Sequence, residues 1–218
     1  MFIKFGSEEN IKDLLDNGCI YMNSKESFRG IEDKELRGDS YEGVIEIRNL
    51  PAGIFSIPGI NFSGRYQNIH LPKFYQEVWG NLYCLTSISN QTIPNPFEYK
   101  IDERLAGFGT HCLLIKDVEK FVRLITCKMD LLNYKYTYDF VKYYDKKMFN
   151  GRVSVFDKPL EFEYQKEFRF YIERVGVKPI IFNIGSLKEI AEIFTTETIM
   201  TLKIEPDKNP IFELPIQL

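Results

Sequence analysis

Three stretches of the sequence carry more polar chemistry than a scaffold requires. In Glu161-Phe162-Glu163-Tyr164-Gln165-Lys166-Glu167-Phe168-Arg169-Phe170, a strand beginning near Gln165 sets Gln165, Glu167 and Arg169 on one face and Phe168 and Phe170 on the other. Such a line of amide, carboxylate and guanidinium either borders a polar cleft or is a solvated strand face. In Lys4-Phe5-Gly6-Ser7-Glu8-Glu9-Asn10-Ile11, closing at Gly18, a strand and a glycine lead into a helix amino terminus. The outward N–H groups of such a turn can hold a phosphate or a ribose, though ordinary capped turns share the pattern. The third stretch runs from Phe28-Arg29 to Arg37-Gly38-Asp39 and Glu42-Gly43. Two arginines in a Gly-bearing loop can grip a pyrophosphate through paired hydrogen bonds, or simply be solvated.

The elements that must position these residues follow from period and caps. Phe2–Phe5 reads as a strand, and Ser7 caps a helix whose Ile11, Leu14 and Leu15 form an apolar stripe stopped by Gly18. Strands are expected at 19–22, 41–48, 81–88, 110–115, 133–144, 167–174, 178–184 and 198–204. Asp117 caps a helix carrying Val118, Phe121, Val122 and Ile125, a short helical turn is expected around 25–28, and Ser186 is expected to cap a last helix through Ile193. Residues 30–43 read as a charged loop, and 51–75, rich in Gly, Pro, Asn and Ser, as a peripheral insertion. Without regular βαβ alternation the expected class is α+β, a single domain over 1–218 with two apposed mixed or antiparallel sheets and short flanking helices.

Composition narrows the function classes. Lys+Arg 28 against Asp+Glu 31 gives a net charge of −3, so no global attraction draws the chain to nucleic acid. Cys19, Cys84, Cys112 and Cys127 lie far apart in apolar settings with no C-x-x-C pair, which predicts buried thiols and neither zinc nor disulfides. Only His70 and His111 are present, which all but excludes a multi-histidine metal site. No run reaches the ~18 apolar residues of a membrane helix. Met1-Phe2-Ile3-Lys4 lacks a signal-peptide layout, so a cytoplasmic protein without a membrane partner is expected. Aromatic content of 15% suits β-sheet. Asn133–Tyr138 and Lys142–Lys147 interleave rings with lysines, as surfaces that stack unpaired bases do.

Together the three stretches resemble the ADP-ribosyltransferase superfamily. Gln165-Lys166-Glu167 resembles its [Gln/Glu]-x-Glu motif, whose last residue is the catalytic acid, and Leu85-Thr86-Ser87 resembles its Ser-Thr-Ser strand motif. The stretch from Lys4 to Gly18 is similar to the opening of DNA-modifying toxins of the DarT type, with Lys4 and Gly6 standing where those have His and Thr, and Arg37 lies where they place a catalytic arginine. A second likeness is to a large uncharacterised bacterial and phage family, through Tyr83-Cys84-Leu85-Thr86-Ser87, Phe108-Gly109-Thr110-His111-Cys112 and Gln165-Lys166-Glu167-Phe168-Arg169.

The resemblance implies an ADP-ribosyltransferase-like fold and a bacterial or phage-defence toxin that uses NAD as co-substrate, without metal, to modify RNA or DNA. An antitoxin protein is an implied partner. Glu167, Gln165 and Arg37 are implied as catalytic. Lys4, Gly6, Asn10, Thr86, Ser87 and Arg169 are implied as NAD-binding. Two other readings stand beside it: a non-enzymatic nucleotide- or partner-binding module on the same fold, and an NAD glycohydrolase with water as acceptor.

Overall fold

A computed structural model describes residues 1–30, 41–74 and 79–205. The chain runs β1 (Phe2–Gly6), α1 (Glu8–Asn17), β2 (Cys19–Ser24), α2 (Lys25–Gly30), β3 (Val44–Leu50), β4 (Gly53–Ser56), β5 (Ser63–Tyr66), β6 (Ile69–Phe74) and β7 (Asn81–Ser87). It continues with β8 (His111–Ile115), α3 (Val118–Leu131), β9 (Tyr136–Phe140), β10 (Lys142–Tyr144), β11 (Gly151–Arg152), β12 (Asp157–Pro159), β13 (Glu167–Ile172), β14 (Ile180–Asn183), β15 (Ala191–Thr195) and α4 (Thr196–Ile199). The class is α+β with mostly antiparallel strand pairs.

β7 is the spine. Along one edge it pairs with all of β13, from Glu167 opposite Thr86 to Ile172 opposite Asn81. The other edge is shared. Thr86 and Ser87 pair with Ile3 and Phe2 of β1, whereas Asn81 and Leu82 pair with Ser24 and Asn23 of β2. Between those contacts β1 and β2 part company, so the sheet forks. One arm continues through β8 and β15, the other through β14. Lys4 sits in the crotch, where its Nζ donates to the Cys84 carbonyl at 2.8 Å and lies 4.4 Å from the Tyr83 ring centroid. The ammonium thereby serves a carbonyl at the point where the ladder divides.

α1 and residues 184–187 tie the arms together again. Ser7 accepts from the Asn10 N–H, and Gly18 ends the helix at φ 63, ψ 37, a left-handed conformation that glycine adopts without a Cβ penalty. A Cβ on Gly18 would lie 2.2 Å from the Gly185 carbonyl oxygen. Ile184, Gly185 and Leu187 donate backbone hydrogen bonds to Gly18, Asn17 and Leu15.

One face of the forked sheet buries Phe2, Met22, Tyr83, Leu85, Phe168 and Phe170 against Ile11 and Leu14 of α1 and Phe121, Ile125 and Met129 of α3. On the reverse face a smaller core gathers Ile3, Leu114, Leu105 and Phe162. Strand parity leaves the reverse face of β7 and β13 polar around Thr86, Glu167 and Arg169.

Several expectations are corrected. The sequence pattern suggested two apposed sheets; the described strands form one forked eight-stranded sheet and three smaller sheets. Residues 187–190 do not form a helix, and Ala191–Thr195 is an edge strand on β8, where tertiary pairing overrides local propensity. The strand expected at 198–204 is replaced by α4, which Thr195 caps by accepting from the Thr198 N–H. Cys127 is exposed on α3, while the other three thiols are buried or half-buried. Within 51–75, β4 and β5 pair only with each other, leaving Ile54, Phe55, Ile60 and Phe62 exposed, and β6 pairs with β3. No helix among the described residues is long and apolar enough to cross a membrane.

Phe170 is fully buried among the rings of Tyr83, Tyr138 and Phe168, with centroids 6.5, 5.5 and 5.4 Å away. Phe170→Ala should therefore destabilise the fold by about 3–5 kcal/mol in equilibrium urea unfolding. A loss below about 1 kcal/mol would show that this face is not the core.

Candidate active site

The backbone between Gln165 and Glu167 makes the site. Leu160–Gln165 is a 3-10 helix closed by Lys166, whose N–H bonds the Glu163 carbonyl from a left-handed conformation at φ 44, ψ 51. A lysine in that region is strained, and such outliers concentrate where geometry serves function. The strand begins only at Glu167, one residue pair later than the alternation suggests. Gln165 therefore reaches the face of Glu167 through this kink and not through strand parity. Neighbours hold the kink: Ser87 N–H donates to the Lys166 carbonyl at 2.7 Å, and Glu167 N–H to the Tyr143 hydroxyl at 2.8 Å. Glu161, upstream in the 3-10 helix, is exposed and paired with Lys146, so it does not share that face.

A chain of alternating buried charges crosses the polar face. Lys25 Nζ lies 3.4 Å from Glu42 Oε1, and Glu42 Oε2 lies 3.5 Å from Arg169 Nη1. Arg169 Nε donates to Glu167 Oε2 at 2.7 Å, and its Nη1 donates to the Val155 carbonyl at 2.7 Å. On its other oxygen Glu167 accepts from Lys158 Nζ at 3.2 Å. Lys158 also donates to Gln165 Oε1 at 2.6 Å, and Gln165 Nε2 donates to the Tyr164 hydroxyl at 3.1 Å. Each of the five ionised groups is less than a tenth exposed. Three cations against two carboxylates leave this chain one positive charge in excess.

Glu42, Arg169, Glu167 and Lys158 of this chain line one wall of a cleft of about 560 Å³ at the fork. Facing it are Lys4, Phe5, Gly6, Ser7 and Asn10 on the β1–α1 turn. Gly109 seats that turn, because a Cβ there would lie 2.2 Å from the Gly6 carbonyl oxygen. Tyr21, Asn23, Phe28 and Phe108 complete the rim. The turn is less suited to phosphate than its pattern implies. Ser7 takes the Asn10 N–H, and Glu8 and Glu9 already set negative charge in the first helical turn. A neutral ribose meets no such repulsion.

Of the residues singled out by sequence, Glu167, Gln165, Arg169, Thr86, Lys4, Gly6 and Asn10 line this one cleft. Ser87 does not. It follows Thr86 on a strand, so its side chain enters the opposite face, where its hydroxyl is buried with no hydrogen-bond partner among the described residues. Arg37 lies outside the described residues. The aromatic ladder is also displaced: Tyr136, Tyr138 and Phe140 register with Ile172, Phe170 and Phe168, on the face turned away from the cleft. Sequence reasoning assigned none of Lys25, Glu42, Tyr143 and Lys158 to the site. Lys25 and Glu42 are 17 positions apart, and a lysine between Asp157 and Pro159 carries no local signal of burial.

Electrostatics decide the ionisation of Glu167. Burial raises its pKa, but the opposing charges and hydrogen bonds of Arg169 and Lys158 outweigh burial and hold it down at about 2. Burial likewise opposes the charge of Arg169, yet Glu167 and then Glu42 raise it above its ordinary value. Cys84 is pushed up to about 11, by burial first and then by Glu167. The folded pKa of Glu167 lies below its unfolded value, so its contribution to stability is present above pH ~4.5 and lost as pH falls towards 2. Glu167→Gln should cost on the order of 3–5 kcal/mol at pH 7, because it leaves buried Lys158 without its carboxylate and Arg169 with Glu42 alone. It should also flatten the fall in urea midpoint between pH 5 and 2. An unchanged slope would mean that Glu167 titrates normally.

No protein-family model, curated protein or solved structure matches this chain.

Proposed function

We propose that the cleft binds NAD and transfers its ADP-ribosyl group to an acceptor, with nucleic acid the favoured acceptor class. The observation that carries this reading is an ionised, buried carboxylate, Glu167, held beside an amide, Gln165, in a cleft whose far wall is the Gly6–Asn10 turn. Its volume suits a ligand of this class.

In the proposed reaction the bond between nicotinamide nitrogen and ribose C1′ breaks, and nicotinamide leaves with the electron pair. The ribose becomes oxocarbenium-like, and Glu167 stabilises that positive charge without reorganising. Both its oxygens are already anchored, by Lys158 and Arg169, so the carboxylate is pre-positioned. An acceptor oxygen or nitrogen then bonds C1′ and yields its proton to solvent. Gln165 would hold the acceptor or the ribose, while the excess positive charge around Arg169 would favour the pyrophosphate.

A second reading has one observation in its favour. Tyr136 and Tyr138 face away from the cleft, so they offer no stacking platform at its mouth. Water as acceptor would then give free ADP-ribose and make the protein an NAD glycohydrolase.

Incubation with labelled NAD and separate RNA, DNA and protein pools tests both. Transfer to RNA or DNA is the expected result; free ADP-ribose alone would select the second reading, and no consumption of NAD would sink both. Glu167→Gln, its fold verified by circular dichroism, should lower kcat on the order of 10²–10³-fold, with a much smaller change in NAD affinity. Glu161→Gln, on the exposed ion pair with Lys146, should retain wild-type rates.

A further inference from the structure

We infer that Lys158 is a positioning residue of this cleft, one that locks the Gln165 amide in a single orientation and holds Glu167 in its charged form. The inference rests on the transferase reading above. Lys158 lies on β12, the short strand paired in parallel with β10, and only 4 % of it is exposed. Its ammonium reaches two side chains that a left-handed residue has brought together, Gln165 at 2.6 Å and Glu167 at 3.2 Å, and lies 4.5 Å from the Phe162 ring centroid.

An ammonium has three donors and no acceptor, so its contact with Gln165 specifies which end of the amide it meets. Oε1 must face Lys158, and Nε2 must turn the other way, where it donates to the Tyr164 hydroxyl at 3.1 Å. The amide therefore cannot flip without setting N–H against N–H. The stem of Tyr164 is fixed in turn by Arg104, whose guanidinium stacks 3.7 Å from the ring centroid and forks onto Asp102. One buried lysine thus sets the direction of the amide and, together with Arg169, keeps the acid charged.

The groups facing Glu167 come from several elements. Arg169 approaches from β13 itself, Lys158 from β12, Tyr143 from β10 and Cys84 from β7, while Lys4 lies beyond Cys84 and Glu42 beyond Arg169. Arg169 is shared with Glu42, whereas Lys158 has no second carboxylate among its described ion pairs. Removing Lys158 therefore leaves Glu167 with one cation that another carboxylate also claims.

The test is a pair of variants. Lys158→Met keeps the length of the stem beside Phe162 and removes the charge, and Lys158→Arg keeps the charge. The first readout is a carboxyl-carbon NMR titration of glutamate-labelled protein, with the Glu167 signal assigned by its absence in Glu167→Gln. Lys158→Met should raise the Glu167 midpoint by about 1–3 pH units, and Lys158→Arg should leave it near the wild-type value. The second readout is NAD turnover: Lys158→Met should lower kcat on the order of 10–100-fold with KM little changed, and should move the acid limb of the pH profile upward. Lys158→Arg should recover part of that kcat with the wild-type limb.

A wild-type Glu167 midpoint in Lys158→Met overturns the inference whatever the kinetics. If the wild-type protein turns over no NAD, the transferase reading falls by itself, and the titration still decides whether Lys158 governs Glu167. Should Lys158→Met fail to fold, Lys158→Gln is titrated in its place: a raised Glu167 midpoint upholds the inference, and a wild-type one overturns it.

Discussion

Glu167 and Arg169 lie on a face that folding removes from water, and neither charge could remain there alone. Moving an isolated ion into such a setting costs several kcal/mol even after relaxation, whereas a hydrogen-bonded chain of opposite charges offsets most of that penalty. The order Lys25, Glu42, Arg169, Glu167, Lys158 is therefore a single unit whose members answer for one another. It also draws together parts of the chain that share no ladder: the start of α2, the turn ahead of β3, β12 and β13. The cleft wall and the packing of these segments are one structural fact.

Such a unit is an uneconomical way to stabilise a fold, since well-packed apolar residues serve at least as well. Its presence on the wall of a cleft, next to a lysine in a left-handed conformation, fits a site that keeps a carboxylate charged and immobile. Electrostatic stabilisation of a developing cation asks for that combination, because a mobile, solvated carboxylate must reorganise during the reaction.

Local patterns were legible where the chemistry is local. Ser7 and Gly18 announce α1, Asp117 announces α3, and the alternation of Phe168 and Phe170 with Glu167 and Arg169 tells which face of β13 is polar. Legibility ends where a partner distant in sequence decides. The stretch from Ser186 through Ile193 reads as a helix until β8 supplies a ladder to Ala191–Thr195, and Thr195 then caps α4 where a strand was expected. Thr86 and Ser87 look interchangeable in a motif, yet adjacent strand residues must face opposite ways. Lys158 became a site residue only through the return of β12 beside β10.

The forked sheet has a mechanical meaning as well. A Y-shaped sheet held at its stem alone would be compliant, and its mouth could widen by splaying the two arms. Here the arms are cross-braced, since α1 connects β1 to β2 and the backbone bonds from 184–187 return to its carboxyl end just before the chain enters β15. Stem, arms and brace enclose a triangle, the stiffest of plane frames. The spacing of the two arms, and with it the width of the crotch between them, is thereby set by backbone bonds and not by side chains alone.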